Sequence, residues 1–174
     1  KDDARKLFIE QQKNLKKQAF KVAALAAICD VSFSKSEWES VIEWTGKIAS
    51  AKPSPDQAAR GLYQRGLSFY QLKKHKEASE SLAQVADLET SDQWKVMSAY
   101  LQGQIHLNLN EYEKAEPAFV AALPGMSGPD AAECRYQLGL ARFLLKKFDL
   151  AKSDFETYLK MGVHGDPKKK KGNK

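Results

Sequence analysis

A chain of 174 residues with 43% hydrophobic content and six prolines is long enough to bury a core in one elongated domain, and its body is too apolar to be disordered. No apolar run approaches the roughly 18 residues of a membrane-spanning helix, and VAALAAI at residues 22–28 falls far short. The net charge of +6 resides at the ends: residues 1–21 carry +4 and residues 165–174 carry +4, leaving −2 on residues 22–164, so the body is not a basic nucleic-acid-binding surface.

In chain order, residues 1–55 open with a helical stripe through Phe8, Leu15, Ala19, Val22, Ala26 and Cys29. Ser34 and Glu37 form a candidate capping box for a second helix through Trp38, Val41, Ile42 and Ile48. The pair reads as an N-terminal hairpin, either a cap or a degenerate member of the array that follows. Because the chain starts at Lys1 without a methionine, it is expected to be a processed or excised piece, with membership of a larger chain or assembly left open. The compartment stays open between cytoplasm and bacterial periplasm or envelope.

Beyond residue 55 the sequence repeats. Gly66, Gly103 and Gly139 lie 37 and then 36 residues apart, a period typical of helical arrays. Aligned on them, Tyr63, Tyr100 and Tyr136 stand three residues before each glycine, and Leu72, Leu109 and Leu145 six after it. Ala78, Ala115 and Ala151 follow twelve residues after it, and Leu82, Phe119 and Phe155 sixteen after. Each copy reads as two antiparallel helices. A mid-helix glycine costs about 1 kcal/mol against alanine, which implies close approach of the partner helix, glycine facing alanine with the larger residue one turn on. The copies span residues 56–90, 91–128 and 129–164, with candidate caps at Ser54 with Gln57, Thr90 with Gln93, and Asp130 with Glu133. PGMSGP, residues 124–129, is the expected flexible connector, and residues 165–174 a basic solvated tail.

These columns, best in LNEYEKAEPAFVAAL at residues 109–123, resemble the tetratricopeptide repeat family over about residues 56–159. The chain departs from the family pattern where Ala99 and Arg135 replace a large residue near the repeat start, and where His106 and Arg142 replace an aromatic after the glycine. The resemblance implies an all-α fold of antiparallel helix hairpins stacked into a right-handed superhelical solenoid. It further implies that first helices line a concave groove, here through Tyr63, Leu67, Tyr70 and Gln71; Tyr100, Gln104, Leu107 and Asn108; and Tyr136, Leu140, Phe143 and Leu144. Tyrosine joins large contact area to a polar tip, which suits peptide binding, and equally suits filling seams between repeats.

The expected function is a non-catalytic scaffold or adaptor holding an apolar or mixed peptide or protein, since those inward positions lack the lysine, arginine and asparagine clamp for acidic C-termini. The alternative is binding of nucleic acid or an anionic membrane surface through the basic ends. Nucleic acid is the poorer fit, because PKKKKGNK has neither aromatics nor an arginine fork to read bases. No cofactor is expected: the glycines sit singly in helices, and no serine or cysteine is set beside a histidine with a carboxylate behind it. His75, His106 and His164 lack a second ligand at helical spacing, so no metal is expected either. Cys29 and Cys134 read as buried free thiols, and Glu77, Glu80, Glu111 and Glu113 as solvated surface.

Overall fold

A computed structural model describes residues 2–162, with the side chains of residues 2–13 and Leu15 left out. The side chains of Phe8 and Leu15, together with His164 and the basic tail, therefore lie outside what is described. Eight α-helices appear among the described residues: α1 Asp2–Ser34, α2 Trp38–Ser50, α3 Pro55–Gln71, α4 His75–Ala86, α5 Asp92–Asn108, α6 Tyr112–Ala122, α7 Gly128–Leu144 and α8 Phe148–Lys160. No strand is present among them. The connector expected at residues 124–129 is mostly structured, with a 3-10 turn over Leu123–Gly125 and α7 already begun at Gly128.

Four hairpin turns share one geometry. Ser36, Lys73, Asn110 and Lys146 each take the left-handed conformation, with φ between 58° and 61°. Lys73 N–H donates to the Tyr70 carbonyl and Lys74 N–H to that of Phe69; the same two bonds recur from Asn110 and Glu111, and from Lys146 and Lys147. Ser36 and Glu37 repeat them onto Phe33 and Ser32. This is the Schellman closure, which satisfies the last helical carbonyls while reversing the chain. The turn that joins α1 to α2 is therefore built like the three in the repeats.

Only one of the expected capping boxes forms: Ser54 and Gln57 hold each other's backbone, with Pro55 opening α3. Thr90 instead donates its hydroxyl to Asp56, whose carboxylate also accepts the Ser91 N–H. Asp130 lies inside α7, which starts two residues earlier behind Ser127. Ser34 turns back onto the Val31 carbonyl, and Glu37 makes no side-chain cap. For Thr90 and Ser34 the short polar side chain has a nearer carboxylate or backbone partner than the predicted one.

The described helices divide into two compact units between Trp94 and Lys95, within α5. In the first, Val22, Cys29, Val41, Ile48 and Ala51 form a core with Leu25, Ala26, Phe33 and Trp44 packed against it. Ala19 is exposed and drops out of the predicted stripe. In the second, Ala115, Phe119 and Ala122 of α6 meet Cys134, Leu138 and Ala141 of α7.

The glycine column works by a slightly different contact from the one expected. A Cβ on Gly66 would lie 2.6 Å from Leu82 Cγ, one on Gly103 2.6 Å from the Phe119 ring, and one on Gly139 2.8 Å from the Phe155 ring. The glycine makes room chiefly for the large residue of the second helix, and at Gly66 also for the Ala78 carbonyl, 3.3 Å from the would-be Cβ. Leu82 and Phe119 are fully buried as a result.

Candidate functional site

The candidate face of α3 holds Tyr63, Leu67 and Tyr70 half-buried and Gln71 exposed. Tyr63 packs its ring 5.9 Å from that of Trp94, and burial raises its phenol pKa. Tyr70 lies against His75 at the start of α4.

In the second unit, Tyr100, Gln104 and Leu107 are half-buried and Asn108 is exposed. Tyr100 and Leu107 both pack against the α6–α7 core, and the Tyr100 ring stands 5.9 Å from Phe119. Burial first, then the charges of Glu133, Cys134 and Asp130, push the Tyr100 phenol up to about 12. Tyr100 therefore fills the seam between its own hairpin and α7, one of the two roles open to it in the sequence. On α7 the pattern opens out: Leu140 is half-buried, while Tyr136 is 38% exposed, Leu144 39% and Phe143 51%. Tyr136 stacks on Phe155 and Tyr158, and Phe143 meets Phe148 edge-on.

Sequence reasoning missed the buried charges. Asp154, with only 4% of its side chain exposed, accepts from Arg135 at 3.0 Å and from Arg142 at 2.7 Å. Arg142 also reaches Glu116 at 3.1 Å, and Lys147 reaches it at 2.5 Å. Burial works against ionised Glu116, but the Lys147 and Arg142 hydrogen bonds outweigh it and hold the carboxyl below its ordinary range. Arg135 and Arg142 are the two arginines that break the family columns, and each finds its compensating carboxylate inside the hairpin. The third departure behaves likewise: His106 meets Glu111 at 2.7 Å, and Glu111 also takes Lys114. The signal was present as paired departures, Arg135 and Arg142 with an aspartate where the first repeat has Ser81 and the second Ala118.

The first unit holds a smaller network. Arg60 and Gln64 both donate to Asp30, at 2.5 and 2.9 Å, and Cys29 donates to Gln64. Asp30, Arg60 and Gln64 line an open pocket of about 290 Å³ walled by Ala23, Ala26 and Ala27. Burial, with Asp30 adding to it, pushes the Cys29 thiol up to about 11, and burial pushes that of Cys134 to about 12. Both are free thiols held in the unreactive protonated form. Among the described residues, no three His, Cys, Asp or Glu side chains gather to hold a metal ion. Nor is any described helix long and apolar enough to cross a membrane.

With this geometry in view, comparison with known proteins is direct. The model of the tetratricopeptide repeat matches residues 59–92, 98–123 and 132–161, together more than half of the chain. The chain belongs to the tetratricopeptide repeat family. Its three matched segments coincide with the α3–α4, α5–α6 and α7–α8 hairpins. Solved structures similar to these tetratricopeptide repeats include MamA from residue 41 to its end, from Desulfovibrio magneticus RS-1, at 20% identity and TM-score 0.70. That match covers 81% of this chain and 75% of that one. A second MamA crystal structure matches at 18% identity and TM-score 0.71, covering 87% of this chain and 84% of that one. At these identities the likeness carries the fold alone. No curated protein matches the chain.

Proposed function

We propose that this tetratricopeptide repeat protein is a non-catalytic scaffold that binds a peptide or protein segment along the first-helix faces of its hairpins. In the first unit the face is Tyr63, Leu67, Tyr70 and Gln71; in the second it is Tyr100, Gln104, Leu107, Asn108, Tyr136, Leu140 and Phe143. The observation that carries the reading is the separation of charge from this face. Arg135, Arg142, Asp154 and Glu116 satisfy one another inside the second unit, whose exposed candidate positions Asn108, Tyr136 and Phe143 are uncharged, as is exposed Gln71 in the first. A face of aromatic rings, leucines and amides favours an apolar or mixed segment over one held by its carboxylates.

The test uses a partner isolated with the full chain. Gln104→Glu with Leu140→Glu places two charges on the half-buried second-unit face and should weaken that partner at least tenfold, with circular dichroism unchanged. A control at exposed Glu113 on α6 should have little effect. Unaltered binding by the double variant, with loss on changing α6 or α8, would move the site off the first helices.

A further inference from the structure

The last described hairpin leaves open the apolar columns that the preceding hairpin buries. Tyr100, Leu107 and Leu123 pack against the core that α7 completes. Their equivalents 36 residues on, Tyr136, Phe143 and Leu159, are 38%, 51% and 68% exposed. From α7 that core takes Cys134, Leu138 and Ala141, and with buried Ala131 before them these are small and branched residues at steps of three, four and three, all nearly inaccessible. A helix with the same face would fit the open set.

The chain carries such a face unpartnered. On α1, opposite the side that α2 covers, Ala24, Ala27, Val31 and Ser34 follow the same steps and are all exposed. Phe20, at 76% exposure, and Ile28, at 43%, extend the stripe. From residue 22 to 33 the helix has only one charged residue, Asp30, so it is apolar nearly all round, the pattern of a helix enclosed on both sides. Charge agrees: exposed Lys16 and Lys17 precede the stripe, and exposed Glu133 occupies the second turn of α7. Glu133 reaches the open end as well as the Tyr100 seam, since its charge also helps raise the Tyr158 phenol pKa after burial does.

We propose that the open α7–α8 end takes α1 of a second copy of this chain, docked as α7 docks on its predecessor. The two surfaces differ, so the contact is head to tail and each added copy presents a fresh end. This end shares Tyr136 and Phe143 with the first-helix face proposed above, but the variants used below, at Val31 and Leu159, leave every residue of that face intact.

The experiment is sedimentation velocity of the full chain over a concentration series, with Val31→Glu and Leu159→Glu. Both sites are exposed, so circular dichroism and melting temperature should be unchanged. The wild-type average mass should climb past that of a dimer, and each variant alone should remain monomeric. A mixture of the two should form dimers and stop there, because one variant keeps an intact tail and the other an intact head. A wild type that stops at a dimer, with no dimer in the mixture, would overturn the head-to-tail contact. A wild type monomeric throughout overturns the second copy as occupant. If that monomer sediments with phosphatidylserine vesicles, and Val31→Glu prevents it, the α1 stripe is a membrane surface instead.

Discussion

A hydrogen atom in place of a methyl group decides the packing of each repeat. Gly103 sits so close to Phe119 that a Cβ would fall 2.6 Å from a ring already fully buried, with nowhere to retreat. Gly103→Ala should cost about 1–3 kcal/mol by overpacking, despite the better helix propensity of alanine. Gly61 supplies the contrast: it also lies within a helix, yet nothing stands within 4 Å of its would-be Cβ. Gly61→Ala should therefore stabilise by about 0.5–1 kcal/mol, the ordinary helix gain. Urea denaturation of the two variants distinguishes the contacts, and equal effects would mean that the repeat glycines serve no packing purpose.

The element to watch is the α7–α8 hairpin, whose ion pairs tie it to α6. Asp154 is nearly inaccessible and Arg142 is 18% exposed, and each keeps a second partner, Arg135 for Asp154 and Glu116 for Arg142. Removing either one should therefore destabilise by less than the roughly 3–5 kcal/mol typical of a buried charge left unpaired, a difference that urea denaturation measures. Glu116 adds a pH dependence of definite sign. Its folded pKa lies below the ordinary 4.5, so its ionised form is favoured by folding. That stabilisation is complete above the ordinary value and is lost as pH falls below it through the folded value. Urea midpoints should consequently drop below pH 4.5 in the wild type, and drop less steeply in Glu116→Gln. Identical slopes would show that Glu116 is ionised no more readily in the folded protein than in the unfolded one.

Across the whole molecule the positive charge is concentrated at the two ends of the sequence. Residues 22–164 carry −2, and the excess lysines lie in the first 21 residues and the last ten. Deleting residues 167–174 should leave capture of a protein partner intact, and should weaken retention on heparin together with its salt dependence. Loss of the protein partner on that deletion would favour the alternative in which the basic ends do the binding.

Local chemistry was enough to write the hairpins into the sequence. Glycine, alanine and aromatic columns recur at a fixed spacing because each hairpin must satisfy the same close helix approach, so period, helix count and family could be read without coordinates. Buried free thiols were legible for a similar reason, as Cys29 and Cys134 sit within apolar helical stripes. Capping was less legible, since Thr90 and Ser34 each had two partners within reach and only the fold decides which is nearer. The charged residues were least so. Arg135 and Arg142 read as flaws in the pattern until the fold brought Asp154 and Glu116, 12 to 26 residues away, against their guanidinium groups. The candidate face divided in the same way: identical columns made Tyr63, Tyr100 and Tyr136 equivalent in sequence, and tertiary packing made them different. Tyr100 is sealed under α7, while Tyr136 on the last described hairpin stays open, because exposure depends on what stacks next and not on the residue itself.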